Sequence, residues 1–107
     1  MANKLFGSVI SSNAGIDGYI DIASINSGMG AMTYVMIANQ NNHQVQVRFA
    51  VGTYPPQSKD FILYDCLIPH YGVIFVPDNG VDAGEHFVFS ASHPKVSCRV
   101  SGFEDPI

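Results

Sequence analysis

Between residues 43 and 51 the chain reads HQVQVRFAV, with Val45, Val47, Phe49 and Val51 on one side of an extended backbone and Gln44, Gln46, Arg48 and Ala50 on the other. Side chains alternate faces in a β-strand, so a period of two this strict predicts a strand buried on one face only. The same period recurs along the chain, and no segment carries apolar residues at helical spacing. Further strands are expected at LFGSVI (5–10), YIDIASI (19–25), TYVMIAN (33–39), FILYDCLI (61–68), GVIFV (72–76), HFVFSAS (86–92) and VSCRVSGF (96–103). About eight strands suffice for two sheets.

The breaks between strands carry turn chemistry. NQNNH (39–43) supplies Asn side chains that bond their own backbone, as a hairpin connection needs. GTYPPQSKD (52–60) holds two consecutive prolines, which cannot sit inside a ladder, and reads as a long connection between sheets. IPHYG (68–72) and VPDNG (76–80) end strands with proline and then provide glycine for positive φ. SGMGAM (27–32) reads as a flexible loop before the next strand. The fold class that follows is all-β, a single antiparallel β-sandwich of jelly-roll or immunoglobulin-like type. The 107 residues make one domain, with 1–18 expected as an extended N-terminal segment used in assembly contacts.

Composition narrows the function. Only 13% of residues are charged, about half the usual ~25%. The surface must therefore be covered by amides, hydroxyls, glycine and aromatic rings, the composition of a surface that is buried against neighbours. The net charge of −4 leaves Lys4, Arg48, Lys59, Lys95 and Arg99 scattered, with no basic stripe for a phosphate backbone, so no nucleic-acid partner is expected. LFGSVISS near the start is too short and mixed for a membrane span or a secretory segment, so no membrane role is expected and synthesis is placed in the cytoplasm.

Neither catalytic nor metal residues are assigned, and no cofactor is expected. The four histidines (His43, His70, His86, His93) lack helix-borne zinc spacing, although His86 and His93 could meet across a strand end. Ser90 or Ser92 with His93 and an aspartate would compose a triad on paper, but no glycines flank a serine as a nucleophile elbow requires. Asp17 and Asp21, four apart, read as edge charges that discourage stray strand pairing. Cys66 and Cys98 read as reduced, buried thiols. Phe49, Phe61, Phe75, Phe87 and Phe89 are expected in the core, whereas Tyr19, Tyr54, Pro55, Pro56 and Tyr71 are the candidate interface.

Four short patterns in order then suggest a family: Ile37 with Asn39 at a strand end, Ile68-Pro69 with Gly72 in a turn, Gly84 before Val88 and Ser90, and a closing Val100-Ser101-Gly102 with Glu104. Over residues 32–104 this arrangement resembles small β-sandwich virion proteins of tailed bacteriophages. The resemblance implies a non-enzymatic subunit of the virion, attached to capsid or tail as a head-decoration or tail accessory protein, whose partners are other virion proteins and copies of itself. A carbohydrate- or receptor-binding module using Tyr54 and Tyr71 is the alternative.

Overall fold

A computed structural model describes residues 3–106. Eight strands follow one another: β1 (Asn3–Ile10), β2 (Ile20–Ser24), β3 (Met29–Asn39), β4 (Val45–Gly52), β5 (Phe61–Ile68), β6 (Val73–Val81), β7 (His86–Ala91) and β8 (Val96–Pro106). One turn of 3-10 helix, Ser58–Asp60, precedes β5. They form two antiparallel sheets of four strands, ordered β1-β8-β3-β6 and β2-β7-β4-β5. Every connection except that between β4 and β5 passes from one sheet to the other. That wrapped order is the jelly roll, and it decides between the two sandwiches the sequence leaves open.

The core lies where the alternation of the two sheets meets. Val35 and Ile37 from β3 and Val96, Cys98 and Val100 from β8 face Val47 and Phe49 from β4 and Phe87 and Phe89 from β7, all buried. Phe87 is central, with its ring 5.7 Å from that of Phe6 and 6.5 Å from that of Phe49. The central pair of the first sheet, β3 and β8, is in register from Met29 opposite Pro106 to Asn39 opposite Val96. Gly102 permits that closeness, because a Cβ there would run into the carbonyl oxygen of Met32.

Several elements differ from the sequence expectation: the 52–60 connection, expected between sheets, joins the paired neighbours β4 and β5 within one sheet, whereas NQNNH, expected as a hairpin connection, crosses from β3 in one sheet to β4 in the other. Met29–Met32 are strand rather than loop, since β8 extends far enough to pair with them. VPDNG does not end a strand. Instead β6 runs through Pro77 to Val81, and its register against β3 slips between Val76 and Asn79. Pro77 is tolerated because β6 is an edge strand and the slip leaves no ladder bond to be donated there. In the IPHYG turn the left-handed position belongs to Tyr71 (φ 54°), not Gly72. Of the expected N-terminal segment, residues 1 and 2 lie outside the described residues. Residues 3–10 form β1, paired along β8, which takes in the strand expected at 5–10.

Candidate functional site

The outward faces of the two sheets are treated differently by the chain. On the β2-β7-β4-β5 sheet, Ala50, Val88 and Ser90 point away from the core yet are buried. Asp17 and Tyr19, from the segment between β1 and β2, are fastened over this side by Arg48 on β4. Its Nε donates to Asp65 Oδ1 at 2.6 Å, and its Nη1 donates to Asp17 Oδ1 at 3.0 Å and to Tyr19 Oη at 2.9 Å. The guanidinium carbon sits 4.2 Å from the centre of the Tyr64 ring. The hydrogen bond to Asp65, with a smaller share from Tyr19, raises the Arg48 pKa above its ordinary value, so the clamp stays charged at any working pH. Asp65 reaches it from a left-handed backbone position (φ 51°), inside an irregularity of the β4–β5 ladder. Tyr19 then rests its ring 6.0 Å from Phe61, and Tyr54 Oη donates to the Tyr19 carbonyl at 3.3 Å.

The 52–60 connection is organised from within. The Asp60 carboxylate is buried and accepts from the backbone of Gln57 at 3.0 Å and from the backbone and hydroxyl of Thr53 at 3.3 and 3.2 Å. These donors, that of Gln57 first, hold its pKa below the usual carboxylate range. Gly52 makes room, since a Cβ would strike the same carboxylate.

Among the described residues, the outer face of the β1-β8-β3-β6 sheet has no such cover. Leu5, Ile10, Met32, Met36, Val73 and Phe75 are each between 45% and 60% exposed. Register places them in rows: Ile10, Ser97, Ala38 and Val73; then Ser8, Arg99, Met36 and Phe75; then Leu5, Ser101 and Tyr34. Tyr34 stacks against Phe75 at 6.4 Å and meets Phe103 edge-on at 6.2 Å, so an aromatic ridge crosses three strands. Scattered exposed apolar side chains are ordinary, but a contiguous apolar sheet face on one domain marks an interaction surface.

At one end of the sandwich, Asn39 ties three loops together. Its Nδ2 donates to the carbonyls of His43, Ile68 and Pro69, and its Oδ1 accepts from the backbone and side chain of Asn41, which in turn donates to the Pro94 carbonyl. This is the work of the Asn in the first of the four patterns. His43 and His93 meet there with ring centres 4.6 Å apart, so His93 finds His43 rather than His86. His86 instead contacts Asp21 at 3.1 Å, and with Asp17 on Arg48 neither aspartate is a bare edge charge. Ser92 Oγ lies 2.9 Å from His93 Nδ1, but no carboxylate reaches that ring among the described residues. Among the described residues there is also no cluster of three or more His, Cys, Asp or Glu that could hold a metal.

Of the candidate interface residues, Tyr19 and Tyr54 come together with Pro55 and Pro56 beside them on the clamped sheet. Tyr71 stands at the other end of β4, its backbone N–H donating to the Asn41 carbonyl at 3.1 Å. The expected tyrosine patch is therefore split, and a sugar site formed jointly by Tyr54 and Tyr71 is not assembled. Phe75 and Phe61 are corrections as well: Phe75 is on the solvent side, and Phe61, opposite outward-facing Ala50, packs on Tyr19 and Tyr64 rather than in the core. Both cysteines are free, and burial pushes the Cys98 thiol up to about 12. The sequence signal of the bare face is GAMTYVMIAN, in which both alternating sets are apolar.

No family model matches the chain, and no curated protein matches it. Among solved structures, an exo-β-1,3-galactanase from Phanerochaete chrysosporium, crystallised with galactose, is similar at 17% identity and a TM-score of 0.42. The similarity covers 94% of this chain and 27% of that one, so the chain spans about a quarter of the enzyme's length. No residue role is carried over from it.

Proposed function

We propose that this chain is a non-enzymatic structural subunit of a tailed-phage virion, attached to capsid or tail by protein–protein packing. The observation that carries the reading is the uncovered apolar face of the β1-β8-β3-β6 sheet, with Met32, Met36, Val73 and Phe75 exposed on a chain of low charge. A free monomer gains nothing from that face, whereas a subunit packed among others buries it. The four ordered patterns support the virion assignment, and the jelly roll is an architecture that capsid proteins use among others. Peptide mass spectrometry of purified particles, with copy number counted against the major capsid protein, tests it. A ratio near parity makes the chain a head-decoration subunit, and a small multiple fixed by tail symmetry makes it a tail part. Its absence from the particles overturns the reading.

A further inference from the structure

Two exposed charges lie on the strand β8 that crosses the bare face. Arg99 and Asp105 both lie on β8, both are exposed, and neither makes an ion pair among the described residues. Alternation along β8 puts Ser97, Arg99, Ser101, Phe103 and Asp105 on the outward side, where the register sets Met36 beside Arg99 and Gly30 beside Asp105. Six residues of strand separate the two charges, roughly 20 Å. They bracket an apolar and hydroxyl stretch with opposite signs at its ends.

We propose that two copies of this chain pair face to face through this sheet, about a two-fold axis that lies between the faces, perpendicular to the strands and above the middle of the 99–105 stretch. Such an axis reverses β8 over its own copy, so that Arg99 of each chain meets Asp105 of the other. An isologous interface requires this reciprocity, in which one residue contacts a second and the second contacts the first. The same operation sets large side chains over small ones at Phe103 over Ser101 and at Met36 over Gly30, while two large ones, Tyr34 and Met32, face each other near the axis. Bulk opposite hollow lets two sheets approach to the usual ~10 Å.

The area fits a reversible dimer. Four strands at ~4.8 Å by seven residues at ~3.3 Å give about 440 Å² of plane before side-chain relief is counted, against about 800 Å² of accessible surface per partner in a standard interface. The pairing is thus on the small side, a contact that symmetric neighbours in an assembly would reinforce. The proposal rests on the assembly reading above, though not on which particle the chain belongs to.

Sedimentation velocity of the purified full chain, over a concentration series into the high micromolar range, tests it with three variants. The wild type is expected to move from monomer to dimer as concentration rises. Arg99→Asp alone and Asp105→Arg alone each place like charges together twice per dimer, and each is expected to weaken dimerisation at least 10-fold, about 1.4 kcal/mol. The double exchange Arg99→Asp with Asp105→Arg is expected to restore it. Both positions are exposed, and unchanged circular dichroism and melting confirm that each variant folds. A wild type that stays monomeric, or a dimer indifferent to either single reversal, overturns the interface. So does a double exchange that fails to recover. A chain found in particles but monomeric in solution defeats this interface alone, while a dimer absent from particles defeats only the virion reading.

Discussion

The two outer faces of this sandwich are made from the same alternating pattern and end in opposite conditions. On the β2-β7-β4-β5 sheet, the chain folds back on itself and a single arginine holds the return segment down through Asp17, Tyr19 and Asp65. On the β1-β8-β3-β6 sheet, no segment among the described residues returns, and methionine, valine and phenylalanine stand in solvent. The first face is covered by the monomer over β7 and β4, where Ala50, Val88 and Ser90 are buried, while Ile62, Tyr64 and Leu67 on β5 stay exposed. The second is left apolar and exposed, held within the monomer only by the contacts of Tyr34 with Phe75 and Phe103 among its aromatic rings.

The strongest way to break that contrast is to unfasten the closed face. Arg48→Ala removes three charge-assisted or hydroxyl hydrogen bonds and the stack on Tyr64. The pair with exposed Asp17 adds little. The contacts to Asp65 and Tyr19, made by a largely buried side chain, carry a loss of about 2–3 kcal/mol, or roughly 10–15 °C in Tm. Arg48→Lys should recover less than half, since an ammonium cannot span the same fork. Limited proteolysis should cut within 11–19 in the Ala variant. Cys98, buried on the other sheet with its thiol pushed up to about 12, should still resist alkylation until global unfolding. Rapid Cys98 labelling in this variant would show that the two sheets are not independent in this way.

Next in size is Asp60, which shapes the connection carrying Tyr54. Asp60→Asn keeps the volume but weakens the acceptor for Gln57 and Thr53, for an expected loss of about 1–2 kcal/mol. Because the folded-state pKa is depressed, its contribution is fully present above the ordinary carboxylate pKa and is lost as pH falls through and below that range. Melting temperatures between about pH 6 and 3 should therefore drop more steeply for the wild type than for Asp60→Asn. Parallel curves would remove Asp60 from the acid response.

How much of this was written in the sequence depends on range. Strands were legible because period two is local, and β5 matches its expected span, Phe61–Ile68. Strand ends were less legible: β3 and β6 each run on because a neighbouring strand is there to pair with them, which overrides Gly30 and Pro77. Topology was narrowed to two sandwiches and no further, since which strand lies beside which is set by contacts far apart in the chain. The same holds for the site. Tyr19 and Tyr54 were picked out by residue type and do meet, but Arg48 joins residues 17, 19 and 65, a convergence that no spacing announces. A strand phenylalanine usually lies in the core, yet Phe75 faces solvent. Its partner set, Val73 and Phe75 against Ile74 and Val76, is apolar on both sides and does not say which side is inside.

The smallest expected effect separates the two faces most sharply. Met36→Thr keeps a β-favouring residue on the bare face while deleting its apolar surface. If the face serves only contacts between chains, the melting of the dilute monomer should change by no more than about 0.5 kcal/mol. Phe75→Thr should cost slightly more, up to about 1 kcal/mol, because its stack on Tyr34 is lost as well. Both should be measured at concentrations where no dimer forms, since self-association would otherwise add its own stabilisation. A loss above about 1.5 kcal/mol for Met36→Thr would mean that the monomer itself depends on this side chain. A near-neutral result, beside a large one at Arg48, leaves intermolecular contact as the physical reason for keeping the face apolar.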